Sequence, residues 1–278
     1  MGSAYAVSSD RISDGETSVT DKMLTEVQDG IGWLTINNPE RRNAVSMEMA
    51  LRGADIIAQF TDDPAVRVIV IRGAGDKAWM SGADISDFEK RRPSSEIPAG
   101  ERTPLEFYDR VRDCPKPTIA MIHGYCFGGG MALACACDIR IVASDALFSI
   151  PAGRLGVGYR AAFTRWIVET VGAPMTKEIL YTARRYSADE AMRIGLAQRL
   201  VPVAELESFT RAYVADIVEN APLSARATKG IVNQVVKSPS DWDTALCDRL
   251  VSECANSADF VEGRTAFMQK RRPQFKGV

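Results

Sequence analysis

Between residues 31 and 201 the spacing of apolar positions changes period again and again. IGWLTI (31–36) reads as a strand, and VRVIVIRG (66–73) as a buried strand ending at glycine. PTIAMIHG (117–124), DIRIVA (138–143) and the short LAQRLV (196–201) are further strands. The stretches between them follow helical spacing. Ser46 caps a helix in which Met49, Ile56 and Phe60 share a face, and Asp62-Asp63-Pro64 stops it. TPLEFYDRVRDC (103–114) predicts a helix with Thr103 as N-cap, Pro104 at the first helical position and Glu106 three residues beyond the cap. SADEAMRIG (187–195) repeats that capping box with Ser187 and Glu190 and closes at Gly195. From about residue 204 the pattern is amphipathic helix only, with Trp242, Leu246, Leu250 and Cys254 in register over 241–255.

Strands alternating with helices, then helices alone, predict an α/β fold with a helical C-terminal appendage. Residues 1–22 are rich in Ser, Asp, Gly and Thr and are expected to be a disordered tail. RRPSSEIPAGER (91–102) carries two prolines and many charges, and is expected to be a mobile loop beside a binding site.

Bulk properties narrow the function. A chain of 278 residues with 46% hydrophobic and 25% charged residues suits a soluble globular protein, as one large domain or a main domain with an appendage. A net charge of −2 gives no field to attract nucleic acid or an anionic membrane, so an anionic ligand must be held by local features. No apolar run reaches membrane-spanning length and no signal peptide is evident, so a cytoplasmic location is expected. The six cysteines lie in apolar or helical contexts and His123 is the single histidine, which suits a reducing interior and not a metal site.

The candidate chemistry lies in HGYCFGGGMALACACDIR (123–140), where Gly128, Gly129 and Gly130 stand between a strand and a helix. Glycines there can be a tight turn with close helix packing. They can also leave first-turn N–H groups pointing outward, with the positive end of the helix dipole behind them. A second small-residue turn, WMSGADI (79–85), follows another strand. One N–H group from each turn, converging on a single carbonyl oxygen, would stabilise an enolate or a tetrahedral oxyanion. Phosphate cradling is less well matched, because no GxxxxGK[ST] pattern occurs.

Over about residues 24–278 the chain resembles the enoyl-CoA hydratase/isomerase (crotonase) family. The resemblance rests on NNPERRNAVS (37–46), SGADI (81–85), HGYCFGGGMALACACDIRI (123–141), FSIPAGRLGVG (148–158), SADEAMRIGLAQRLV (187–201) and AFMQKRRPQFK (266–276). It implies a ClpP/crotonase-type spiral of ββα units carrying the acyl-CoA site over 23–203. A helical trimerisation region would follow over 204–278, assembled as homo-trimers or dimers of trimers. It also implies an oxyanion hole made by the N–H groups of Ala83 and Gly129. The acyl-CoA thioester would lie along Ala78–Ile85, touching Ala78, Met80, Gly82, Asp84 and Ile85. Phe267 and Lys270 match the C-terminal CoA contacts, which often reach a neighbouring subunit; the other reading of Lys270 is a solvated helix end beside Arg271 and Arg272. Coenzyme A enters as part of the substrate, and no separate cofactor or metal is implied. The nominal activity is that of an enoyl-CoA hydratase, a lyase.

Water addition to an enoyl thioester needs a held, deprotonated water and a proton for the α-carbon, work that two glutamates do in the family's hydratases. The matching positions here are Ala132 and Ala152, and the second is also the base position of the isomerases. Alanine carries no proton at any pH. Asp84 and His123 are candidates to stand in, against structural readings as a local cap and as a partner of neighbouring backbone. Arg154, Tyr159 and Arg160 follow Ala152, and Tyr159 matches a tyrosine of the family's decarboxylases. There, loss of CO2 creates the enolate without a base, and an arginine could hold the carboxylate; the other reading of Arg154 and Arg160 is a surface or interface ion pair. Cys126 reads as a small core residue. Three functions follow: an enolate-forming hydratase, a decarboxylase or isomerase using Tyr159, Arg154 or His123, and a catalytically weak acyl-CoA-binding subunit.

Overall fold

A computed structural model describes residues 19–84, 96, 98 and 100–278. A helical turn, Val19–Lys22 (α1), leads into an antiparallel hairpin of Met23–Gln28 (β1) and Ile31–Ile36 (β2). Asp29 and Gly30 close the hairpin at φ 53° and 79°, the left-handed pair that suits the twist of two strands. Met47–Asp62 (α2), Val68–Gly73 (β3), Ala78–Met80 (β4) and Leu105–Asp113 (α3) come next. Two further rounds follow: Thr118–Ile122 (β5), Tyr125–Phe127 (β6) and Gly129–Ala136 (α4), then Ile139–Ala143 (β7), Leu147–Ser149 (β8) and Ala161–Thr182 (α5). Tyr186–Ser187 (β9), Ala188–Arg193 (α6) and Arg199–Val201 (β10) end the strand-bearing part. Leu206–Val218 (α7), Pro222–Val235 (α8), Thr244–Ala255 (α9) and Ala258–Gln269 (α10) complete the chain.

Each ββα round places its first strand in one sheet and its second in another. The first sheet has the order β1-β2-β3-β5-β7-β10 and the second β4-β6-β8-β9. All neighbours after β2 in the first sheet are parallel, as are β4, β6 and β8 in the second. The result is the expected spiral of ββα units. Near-continuous apolar runs suit this sheet because both its faces are buried. Ile69, Ile71, Ala120, Ile122 and Val142 face the main core, together with buried residues of α2 to α5. Val68, Val70, Ile119, Met121 and Ile141 face a second core closed by Leu206 and Val214 of α7. Helix α7 thus packs on the outer face of the sheet. Truncating one central residue, such as Ile71→Ala, would cost about 2–5 kcal/mol.

Helix ends follow the sequence in two cases and depart from it in two. The Ser46 hydroxyl accepts from the Met49 N–H at 3.2 Å, and Ser187 with Glu190 forms the full capping box of α6. At α3 the expected box does not form: no side chain caps the helix, and Glu106 pairs with Arg102 at 2.8 Å and with Arg110. Two arginines one turn to either side outcompete a single backbone N–H for that carboxylate. Helix α9 begins after its cap Asp243, so Trp242 lies outside it and its indole N–H donates to the Lys237 carbonyl at 3.1 Å. The α5 segment breaks at Gly172 (φ 79°, ψ 161°), two residues before Pro174.

A buried ion pair ties the C-terminal helices to the sheet. Lys229 of α8 lies 2.9 Å from the Asp138 carboxylate just ahead of β7. The same carboxylate oxygen accepts from the Thr118 N–H at 2.8 Å and the Thr118 hydroxyl at 3.0 Å. Of the expected tail (1–22), residues 1–18 lie outside the described residues, as does most of the expected loop (91–102).

Candidate active site

The two turns singled out by sequence meet where β4 and β6 end. Each of the three glycines answers a separate demand. Gly128 adopts φ 53° and ψ −115°, a conformation closed to other residues. A Cβ on Gly129 would lie 2.7 Å from the Tyr108 hydroxyl, and one on Gly130 only 2.2 Å from the Met80 carbonyl oxygen. The helix thus lies against the backbone of β4, and its run of small residues is the means of that approach.

The position of that Gly129 Cβ is also 3.5 Å from the Ala83 nitrogen, and a Cβ on Gly82 would be 3.4 Å from the Gly129 nitrogen. With about 2.5 Å between a residue's N and Cβ, the Ala83 and Gly129 nitrogens are within about 6 Å of each other. Among the described residues neither N–H has an acceptor, whereas the flanking groups do: Gly128 donates to Ser149 at 2.8 Å and Asp84 to Val45 at 3.0 Å. Two N–H groups without an acceptor, one of them at the first position of a helix, thus lie within about 6 Å of each other.

Ala83 keeps its N–H free because of Val45. The Val45 N–H donates to Gly82 at 2.9 Å and its carbonyl accepts from Asp84, so 82–84 pairs with residue 45 as in a parallel ladder. Alternation along an extended chain then turns the intervening Ala83 N–H to the opposite side. The brace is itself anchored by Asn43, fully buried at φ 55°. Its amide donates to the carbonyls of Ala78 (2.6 Å) and Ala74 (2.9 Å), and its side-chain oxygen accepts from the Asn38 N–H (2.9 Å). Arg41 adds an ion pair to Asp84 at 2.8 Å, which holds that carboxylate in a local structural tie. Sequence reading passes over Val45, Asn43 and Tyr108; the one local signal is the asparagine in NNPERRNAVS, a residue type that tolerates left-handed backbone.

Tyr159 reaches the same place. Its hydroxyl donates to the Gly128 carbonyl at 2.9 Å, and its ring packs on Phe163, which also packs on Tyr108 and Trp166. Burial, and to a lesser extent Tyr108, Cys135 and Cys126, pushes the Tyr159 phenol well above its ordinary pKa. Ala132 is fully buried in the first turns of α4, and its N–H donates to that same Gly128 carbonyl at 3.2 Å. Ala152 is buried in the short 3-10 turn Pro151–Arg154, with the exposed Arg154 at its end.

The remaining predicted residues are spread more widely. Ala78 and Met80 are buried, at 1% and 0% exposure. A cavity of about 260 Å³ beside Ala78 is lined by Arg42 and Lys77 together with Glu40 and Asp76. A larger one of about 380 Å³, between α2 and α3, is lined by Asp62, Glu106, Asp109 and Asp113, a set of charges that would repel phosphates. His123 sits before β6, at the opposite end of that strand from Gly128, with the strand's length of about 10 Å between them. It is buried, and burial lowers its pKa against the opposing pull of Asp145. Cys126 is fully buried, which pushes its thiol well up and makes it a core residue. Phe267 is 82% exposed on α10, and Lys270 ends that helix at φ 54°. Ile85 lies outside the described residues.

A two-sheet spiral whose successive ββα turns bring two free N–H groups together is the crotonase type of fold. Residues 26–278 match the family model for enoyl-CoA hydratase/isomerase, and the chain belongs to that family. It is 32% identical to a crotonyl-CoA hydratase of Syntrophomonas wolfei over 92% of this chain and 98% of that protein. It is 30% identical to a short-chain-enoyl-CoA hydratase of Clostridium acetobutylicum, over 90% and 95% of the two chains. A solved enoyl-CoA hydratase/carnithine racemase of Magnetospirillum magneticum superposes with a TM-score of 0.84 at 31% identity, covering 93% of this chain and 96% of that one.

Proposed function

We propose that this protein is an enzyme of acyl-CoA thioesters, working through an enolate whose oxygen rests between the N–H groups of Ala83 and Gly129. The observation that carries this reading is the pair of acceptor-free N–H groups held at one point by two independent elements. Charge developing on a thioester oxygen is what such a pair stabilises, by about 10²–10³-fold in rate per donor. The nominal reaction is water addition to a 2-enoyl thioester, as the names of the relatives suggest.

A second reading is favoured by the residues that ring the hole. Ala132 and Ala152 offer no carboxylate to deprotonate water, while Tyr159 bonds the Gly128 carbonyl and Arg154 stands exposed at the end of the turn that carries Ala152. Departure of CO2 from a malonyl-type thioester creates the enolate without a base, with Arg154 available for the carboxylate. His123, beyond the far end of β6, fits either reaction less well than Tyr159.

The CoA moiety is proposed to run along Ala78–Ile85, its phosphates near Arg42 and Lys77, with Phe267 and Lys270 serving the site of a neighbouring subunit. Exposed Val232, Val235, Val236, Val251, Phe260 and Val261 on α8 to α10 support assembly into homo-trimers or dimers of trimers. No helix among the described residues is long and apolar enough to cross a membrane. Buried, unpaired cysteines support the cytoplasm as its location.

Incubation with crotonyl-CoA, a 3-enoyl-CoA and malonyl-type thioesters in D2O, followed by mass spectrometry, tests these readings. Addition of water at an enzymatic rate establishes the hydratase. CO2 loss with deuterium at the α-carbon establishes the decarboxylase. Binding with no mass change for any thioester would overturn the enzymatic proposal in favour of a binding subunit.

A further inference from the structure

The Gly128 carbonyl and the Gly129 N–H belong to one peptide group. Any donor that bonds the carbonyl draws electron density toward oxygen and leaves the N–H more positive, so a hydrogen bond at one end strengthens the donor at the other. Among the described residues two groups bond this carbonyl: the Ala132 N–H at 3.2 Å, as the helix requires, and the Tyr159 hydroxyl at 2.9 Å, which no backbone geometry requires. The Tyr159 ring is held by Phe163, 5.7 Å between centroids, which fixes the approach of the hydroxyl.

We infer that Tyr159 is a positioning residue that sharpens the oxyanion hole through the Gly128–Gly129 peptide, making the Gly129 N–H a stronger donor to a thioester oxygen; this rests on the acyl-CoA reading above. Its proton is engaged by the carbonyl, so it acts without being transferred. Burial keeps the phenol protonated through the neutral range, so the bond persists wherever the enzyme would work. The arrangement also gives a use to the aromatic group of Tyr108, Phe163 and Trp166, which excludes water from a bond that water would weaken.

The test is the carbonyl stretch of [1-13C]butyryl-CoA, a saturated thioester that can be neither hydrated nor decarboxylated. It would be read by isotope-edited infrared spectroscopy on saturated wild-type protein, on Tyr159→Phe, and on protein with 2,3-difluorotyrosine at position 159. The fluorinated phenol is a stronger donor of the same shape, so a purely structural role would leave its band where wild type has it. The band should move below that of free butyryl-CoA least in Tyr159→Phe, further in wild type and furthest in the fluorinated protein, with steps of about 10–30% of the shift. Equal shifts in wild type and Tyr159→Phe, or no gain from fluorination, would overturn the inference while leaving the oxyanion hole intact. If the wild-type band does not move although butyryl-CoA is bound, the hole itself fails and the inference falls with it. Should Tyr159→Phe not fold, the fluorinated protein against wild type still decides.

Discussion

The two halves of the proposed oxyanion hole are built on different principles. Gly129 takes its place from a helix: its N–H is free because first-turn groups have no partner, and the dipole of α4 and the Tyr159 bond both act on it. Ala83 lies in extended chain with no dipole behind it. Its N–H is aimed by Val45, which takes up the groups on either side, and Val45 is steadied in turn by the buried Asn43. One donor is set by local geometry, the other by a loop forty residues away in sequence. The helix half should therefore tolerate change in distant loops, and the extended half should not.

Deleting each donor is the strongest way to break this comparison. Ala83→Pro removes one N–H. Gly129→Pro combined with Tyr108→Phe removes the other, along with the hydroxyl that a Cβ would strike, and proline is accepted at a first helical position. Each change should lower kcat/KM by about 10²–10³-fold, measured on whichever thioester turns over. A much smaller loss for Ala83→Pro would show that the helix half works alone. Next in size is Gly130→Ala, whose methyl group meets the Met80 carbonyl and must push α4 off β4. About 1–3 kcal/mol or more of stability should be lost in urea unfolding, since the obstacle is backbone.

Asn43→Gly sharpens the comparison from the other side. Glycine keeps the left-handed backbone and removes only the side chain, leaving two carbonyls and the Asn38 N–H unsatisfied. About 1–3 kcal/mol of stability should go, and activity should fall even well below the melting temperature; retained activity would mean that Val45 aims Ala83 unaided. The smallest effect expected is at His123. Its pKa is lowered from 6.5 by burial, so the neutral form is favoured in the fold, with Asp145 and Asp76 working the other way. That stability is present above pH 6.5 and is lost as pH falls through the lower folded value. In urea unfolding between pH 7 and 5, His123→Gln should remove part of the acid slope. A fall in kcat with stability unchanged would instead bring His123 into the chemistry.

Much of this was legible in the chain. In the first sheet β2, β3, β5 and β7 could be read because they are long enough to show a pattern, and Ser46 and Ser187 cap as their spacing predicts. The second sheet could not, since β4, β6 and β8 have three residues each and β9 two, too few for any period. β1 escaped because its residues are mostly exposed, although Asp29-Gly30 marked the hairpin. Thr103 and Trp242 misled through local competition: Glu106 is taken up by Arg102 and Arg110 one turn away, and the Trp242 indole by the Lys237 carbonyl five residues back. At the site, the two turns could be found from glycines and small residues. The brace could not, since Val45 acts through backbone groups that leave no mark in residue type, and the residue type of Asn43 does not show which backbone groups its side chain will bond.

The bond between Lys229 and Asp138 sets an order of events during synthesis. About 90 residues separate the two, so on a ribosome adding about 5–20 residues per second the strand carrying Asp138 emerges some 5–20 s before its lysine. For that interval the entrances to β5 and β7 hold a carboxylate without its cation, and the outer face of the sheet waits for α7 as well. A nascent chain stalled before α7 should therefore be prone to aggregate, while one released beyond α8 should resist protease.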